Sequence, residues 1–145
     1  MSKIYVVYWS QTGNTEAMAE AVGQGISEAG KEAAVLEVSQ ASAEDLKAAG
    51  VFALGCPSMG AEELEESEME PFVQEVETFA QGKHIGLFGS YGWGDGQWMR
   101  DWQDRMAAAG AVVTGGQGVI ANETPDEAAL EECRGLGRAL AALQA

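Results

Sequence analysis

Six residues near the amino end, Ser10-Gln11-Thr12-Gly13-Asn14-Thr15, carry three hydroxyls, two side-chain amides and no charge. They sit between a short apolar run, Ile4-Tyr5-Val6-Val7-Tyr8, and a stretch of helical periodicity. A turn of this kind can hold an anion without a cation. Its hydroxyls donate, Gly13 lets the backbone bend toward a ligand, and the free N–H groups of the helix start point outward along a dipole that favours negative charge. The turn lacks the Gly-Lys-Ser/Thr ending of a nucleoside triphosphate loop, which argues against a triphosphatase.

Two further stretches are equally unusual. In Ser90-Tyr91-Gly92-Trp93-Gly94-Asp95-Gly96-Gln97-Trp98 the glycines make a thin loop, while Tyr91 and Trp93 offer flat apolar faces. Trp98 and Trp102 recur at helical spacing and are expected in the core. Trp93, isolated among glycines, is expected to be a stacking platform for a planar ligand. In Gly55-Cys56-Pro57-Ser58-Met59-Gly60-Ala61-Glu62 the thioether of Met59 is a soft, polarizable contact, and Gly60 permits backbone angles closed to other residues. The glutamates that follow, Glu62, Glu63, Glu65 and Glu66, are expected to be mostly a solvated acidic turn. A phosphate nest and two flanking walls together describe a site for a phosphorylated flat ring.

The elements that must position these loops alternate along the chain. Strands are predicted at Ile4–Tyr8, Ala33–Val38, Val51–Gly55 and Ile85–Gly89, with a fifth over Ala111–Thr114 and Gly118–Ile120 interrupted at Gly115-Gly116. Helices are predicted from Thr15 to Ala29, from Ser42 to Ala48 with Ser42 as cap, from Met69 to Ala80 with Pro71 in the first turn, and through Trp98, Trp102 and Met106 to Gly110. Thr124-Pro125-Asp126-Glu127 reads as a capping box opening the last helix, whose buried face is Leu130, Cys133, Leu136, Leu140 and Leu143. Five such β-α units with strands apolar on both faces imply a parallel sheet covered on each side, and right-handed crossovers make it a doubly wound α/β sandwich. Ligands bind such sheets beyond the carboxyl ends of the strands, where all three loops converge.

Composition narrows the function. The 145 residues are expected to form one domain, 1–145, and 46% of them are hydrophobic, which argues against disorder. Ser2 and Lys3 lead into the first apolar run without a targeting pattern, and no stretch approaches the ~20 apolar residues of a membrane span. A cytoplasmic protein with no membrane partner is expected. Cys56 and Cys133 form no metal or redox motif and are expected to be buried, reduced thiols, and no metal site is expected around the single His84. Asp and Glu total 23 against 8 Lys and Arg, a formal net charge of −15, so nucleic acid would be repelled. The carboxylates are densest between Glu62 and Glu77, an acidic face suited to a basic partner.

The three loops together resemble those of the short-chain flavodoxins, through YWSQTGNTEAMAE, LGCPSMGAEELEESEMEPF and GLFGSYGWGDGQWM, and the resemblance spans essentially the whole chain. It implies a flavodoxin-like three-layer αβα sandwich with a five-stranded parallel sheet of order 2-1-3-4-5. That order, with its FMN at the switch point, is the general precedent for such sheets. It further implies one noncovalent FMN and a low-potential one-electron carrier working between semiquinone and hydroquinone flavin, monomeric, docking on basic faces of reductases or oxidoreductases. Carried over by position, Ser10, Gln11, Thr12, Gly13, Asn14 and Thr15 would wrap the phosphate, with Trp9 beside them. Met59 would cover the inner ring face and Trp93 the outer. The Gly60 carbonyl would accept from flavin N5–H, and Glu62 would meet the pyrimidine edge along with the backbone of Ser90, Tyr91 and Gly92. Pro57, Ser58, Ala61, Gly94 and Gln97 complete the expected site, with Ala61 tuning the turn after Gly60.

Two other functions use related architecture. A flavin-dependent quinone or nitro reductase needs a substrate pocket over the ring, where Met59 and Trp93 are expected to block both faces. A receiver-type signalling module needs clustered Asp after the first strand and at the end of the third, where this chain has Tyr8-Trp9-Ser10 and Gly55-Cys56-Pro57.

Overall fold

A computed structural model describes residues 3–144. Ser2, at the head of the amino-terminal run, lies outside the described residues, as does the last residue of the chain. Six strands and five α-helices alternate in the order β1 (Lys3–Tyr8), α1 (Asn14–Glu28), β2 (Glu32–Glu37), α2 (Ala43–Ala48), β3 (Val51–Gly55), α3 (Met69–Glu77), β4 (His84–Tyr91), α4 (Gln97–Ala108), β5 (Val112–Val113), β6 (Val119–Asn122) and α5 (Glu127–Leu143). A short 3₁₀ turn, Val38–Gln40, follows β2.

All pairings are parallel, in the order β2-β1-β3-β4-β5, with β6 also on β4. This is the flavodoxin-like sandwich expected. Its fifth strand is cut in two: β5 pairs with the start of β4 and β6 with the end, joined through Gly115 and Gly116 at φ +82° and +81°.

The period-2 alternation of each strand divides the core between two faces. Ile4, Val6, Ala53 and Phe88 pack with Met18, Val22 and Ile26 of α1 and Cys133, Leu136 and Leu140 of α5. Val7, Phe52, Leu54, Ile85 and Leu87 pack with Met69, Phe72, Val73 and Val76 of α3 and Trp98, Trp102 and Met106 of α4. Both tryptophans assigned to the core are buried there.

Several boundaries differ from the sequence expectation. β4 runs on to Tyr91, so Ser90 and Tyr91 belong to a strand and the glycine loop begins at Gly92. The last helix is capped by Asp126, whose carboxylate accepts the Ala129 N–H at 2.8 Å. Thr124 and Pro125 therefore precede the cap, and Glu127 opens the helix instead of closing a box. A carboxylate is a stronger acceptor than a hydroxyl, and Asp126 is three residues before the amide it serves, the spacing a cap requires. Leu143 is 44% exposed and does not join the buried face. Ser42 does cap α2, accepting from the Glu44 N–H.

Candidate functional site

The turn after β1 is shaped by Gly13, the N-cap of α1 at φ +94°, in the left-handed region that favours glycine. The Ser10 hydroxyl oxygen accepts from both the Gly13 and Glu16 N–H groups at 3.2 Å, so two backbone donors of this turn converge on one oxygen. The N–H groups of Thr12, Asn14 and Thr15 meet no acceptor among the described residues. Thr15 is buried, and its hydroxyl pairs with that of Ser90 at 3.0 Å, tying the turn to the end of β4.

The second loop leaves β3 through Cys56 and Pro57. Met59 and Glu63 exchange both backbone hydrogen bonds at 2.8 Å, closing a tight hairpin over Gly60, Ala61 and Glu62. Gly60 (φ +50°) and Glu62 (φ +60°) both occupy the left-handed region. A Cβ built on Gly60 meets nothing within 4 Å, so the peptide there faces open space.

The third loop, Gly92 to Gly96, carries Trp93 with its indole 63% exposed. Glu62 joins the second loop to the third: its Oε1 accepts the Gln97 N–H at 2.9 Å, at the start of α4, and its carboxylate lies against Gly94. Tyr91 packs on the buried Trp98, ring centroids 5.6 Å apart.

These loops enclose a cleft of about 300 Å³ at the carboxyl edge of β1, β3 and β4, lined by Ser10, Gln11, Thr12, Asn14, Thr15, Pro57, Ser58, Met59, Ser90, Tyr91, Gly92, Glu123 and Thr124. No Lys or Arg lines it. The family model for flavodoxin matches residues 6–137.

The chain belongs to the flavodoxin family.

It is 48% identical over 136 residues to the flavodoxin of Clostridium beijerinckii, covering 94% of this chain and 97% of that one. It is 45% identical over 138 residues to the flavodoxin of Megasphaera elsdenii, covering 95% and 98%. The solution structure of two-electron reduced Megasphaera elsdenii flavodoxin superposes with a TM-score of 0.88 at 45% identity, over 96% of this chain and 98% of that one. Flavodoxins are flavin-binding electron carriers that serve redox partners, and this chain is such a carrier.

Of the expected site residues, Trp9, Gly13, Gly60, Ala61, Glu62, Trp93, Gly94 and Gln97 do not line the cleft itself. Gly60 borders a second hollow with Met59 and residues 63–67. Trp9 turns its indole N–H to Glu68 Oε1 at 3.2 Å and flanks the Ser10 turn from the far side. Glu123 and Thr124, not foreseen, come from the turn after β6, where Glu123 stands at φ +56° with its N–H on the Tyr91 carbonyl. The same strand-end rule that selected three loops covers this fourth one, and the Asn-Glu-Thr-Pro turn was the signal.

Both cysteines are free and buried. Burial pushes the Cys56 and Cys133 thiols up to about 12, so neither is a thiolate at neutral pH. Among the described residues no cluster of His, Cys, Asp or Glu could hold a metal ion, and no helix is long and apolar enough to cross a membrane.

Proposed function

We propose that the flavin is FMN and that the chain, as a single domain over 1–145, is a low-potential one-electron shuttle between redox proteins. One observation carries this: the cleft at the strand ends offers many neutral donors and no cation. The donor set suits a phosphate, since the N–H groups of Thr12, Asn14 and Thr15 meet no acceptor among the described residues and Gly13 leaves open space where a Cβ would stand.

When bound, the flavin supplies reversible one-electron exchange. Ser10, Gln11, Thr12, Gly13, Asn14 and Thr15 bind its phosphate. Met59 and Trp93 would cover the ring faces and exclude water, an arrangement that favours a carrier over a reductase. The Gly60 carbonyl, in a peptide with open space beside it, would be the acceptor offered to N5–H. Pro57, Ser58, Ala61, Glu62, Ser90, Tyr91, Gly92, Gly94 and Gln97 border the ring and its edge, and Trp9 supports the phosphate turn.

The electrostatics favour a strong reductant. A carboxylate ~10 Å from the reduced ring, at an effective dielectric of ~50, disfavours its negative charge by ~0.7 kcal/mol. That is ~30 mV for a one-electron couple. Several such carboxylates sum, less their screening by salt. The same charge steers the protein to basic faces of its partners. A monomer in the cytoplasm fits this role.

Two measurements test the proposal. The protein is expected to take up FMN and turn yellow; a chain that stays colourless in excess FMN ends it. In a spectroelectrochemical titration of the loaded protein, the second-electron potential is expected below that of free FMN, and equality contradicts the low-potential role.

A further inference from the structure

We propose that Glu65 is a positioning residue for the flavin site: it locks both roots of the second loop and thereby fixes the Met59–Glu63 tip. This rests on the proposed function only in that the tip faces the flavin.

Glu65 is buried, at 7% exposure, and among the described residues no Lys or Arg pairs with it. Its carboxylate is held by hydrogen-bond donors instead. Oε2 accepts the Ser67 N–H at 2.8 Å and the Ser67 hydroxyl, while Oε1 accepts the Glu68 and Met69 N–H groups at 2.8 and 3.0 Å. Its carbonyl accepts the Glu70 N–H at 2.8 Å. These bonds fix the residue to the first turn of α3. Its own N–H donates to Cys56 Sγ at 3.3 Å, at the other root of the loop, where the chain leaves β3. The Cys56 carbonyl in turn accepts the Trp98 indole N–H at 3.1 Å. Glu65 thus joins the end of β3 to the start of α3, and Cys56 carries the connection on to the core face of α4.

The tip needs such an anchor. Two of its residues, Gly60 and Glu62, stand at positive φ within three positions, and for a glutamate this persists only where the surroundings over-determine the backbone. The charged and titratable neighbours are the Cys56 thiol at the end of β3, Glu66 in the loop, and Glu68 and Glu70 at the start of α3. Arg105 of α4 engages Glu70 and Glu77. Only a carboxylate satisfies the four donors. A glutamine offers one acceptor oxygen and turns an NH₂ group toward N–H groups.

The test compares the full chain with Glu65→Gln and Ser67→Ala, recording amide NMR spectra without flavin and the FMN dissociation constant of each. Glu65→Gln is expected to move the Gly60 and Ala61 amide resonances in the flavin-free protein and to raise the dissociation constant about tenfold. Ser67→Ala, which removes one donor, is expected to move the same resonances less and to raise the constant about threefold. A lower melting temperature with those resonances and the affinity unchanged would make Glu65 an ordinary helix cap and overturn the proposal. If Glu65→Gln does not fold, Ser67→Ala decides by the same two readouts. A parent chain that fails to bind FMN refutes the flavin reading alone, because the flavin-free spectra still report whether Glu65 sets the tip.

Discussion

Trp93 exposes 63% of its surface between two glycines, while Trp98 and Trp102, five and nine residues on, are buried. Spacing alone separated them, since residues at i and i+4 share a helix face and an aromatic among glycines has no element to bury it. Trp93→Ala is expected to raise the FMN dissociation constant about tenfold, measured by flavin fluorescence, because a stacked indole contributes about 0.5–1.5 kcal/mol on top of the area it buries. The Thr15–Ser90 hydroxyl pair makes a second prediction. Thr15→Val leaves the buried Ser90 hydroxyl without its partner, and the urea midpoint is expected to fall by the equivalent of about 1–2 kcal/mol. Glu62 shows what spacing could not convey. The resemblance puts it at the pyrimidine edge, and the structure puts one of its oxygens on the Gln97 N–H. That contact joins residues 35 positions apart, and no local pattern encodes it.

Between elements, α1 and α5 pack backbone against backbone. A Cβ built on Gly25 would overlap the Arg134 carbonyl, and one on Gly137 the Val22 carbonyl, so two glycines set the distance between these helices. Gly137→Ala is expected to destabilise the fold by about 1–3 kcal/mol in urea titration, because backbone cannot yield as a side chain would. On the other face Arg105 of α4 binds Glu70 in bidentate fashion, at 2.8 and 2.6 Å, and Glu77 at 2.9 and 3.0 Å. Its guanidinium beside Glu70 is the chief cause that holds this carboxyl below the usual range. Arg105→Lys is expected to recover little of what Arg105→Ala loses, since an ammonium cannot bridge two carboxylates with a planar fork. The split between β5 and β6 was legible, because consecutive glycines interrupt a strand. The extension of β4 to Tyr91 was not, because Ser90 and Tyr91 are ordinary loop residues until Ala121 and Asn122 pair with them.

A net charge of −15 opposes the compact state, and screening should relieve it. The urea midpoint of the flavin-free chain is expected to rise as NaCl is raised to about 0.5 M. Acid acts in two directions. As pH falls toward 5, exposed carboxylates begin to protonate and repulsion eases. Below that, Glu65 and Glu70 reverse the trend. Burial raises the Glu65 value, yet the donors of Ser67, Met69 and Glu68 outweigh it and hold it below the usual 4.5. Its folded value is thus depressed, so its stabilisation is whole above about 4.5 and is lost as pH falls through the folded value. The urea midpoint is expected to drop in that acid window, and less steeply in Glu65→Gln.

By itself the sequence determined the alternation of strands and helices, the parallel sheet and the three loops that meet at its carboxyl edge. Those follow from local periodicity and from turn chemistry, both written in neighbouring residues. Only the tertiary structure decided that Glu123 and Thr124 line the cleft, that Asp126 caps the last helix, and that the acidic stretch is partly internal scaffolding. In it Glu62 holds α4, Glu65 holds α3, and Glu70 and Glu77 hold Arg105. A carboxylate reads the same in sequence whether it faces water or a ring of N–H groups; which donors surround it is fixed by elements that meet only once the sheet has formed.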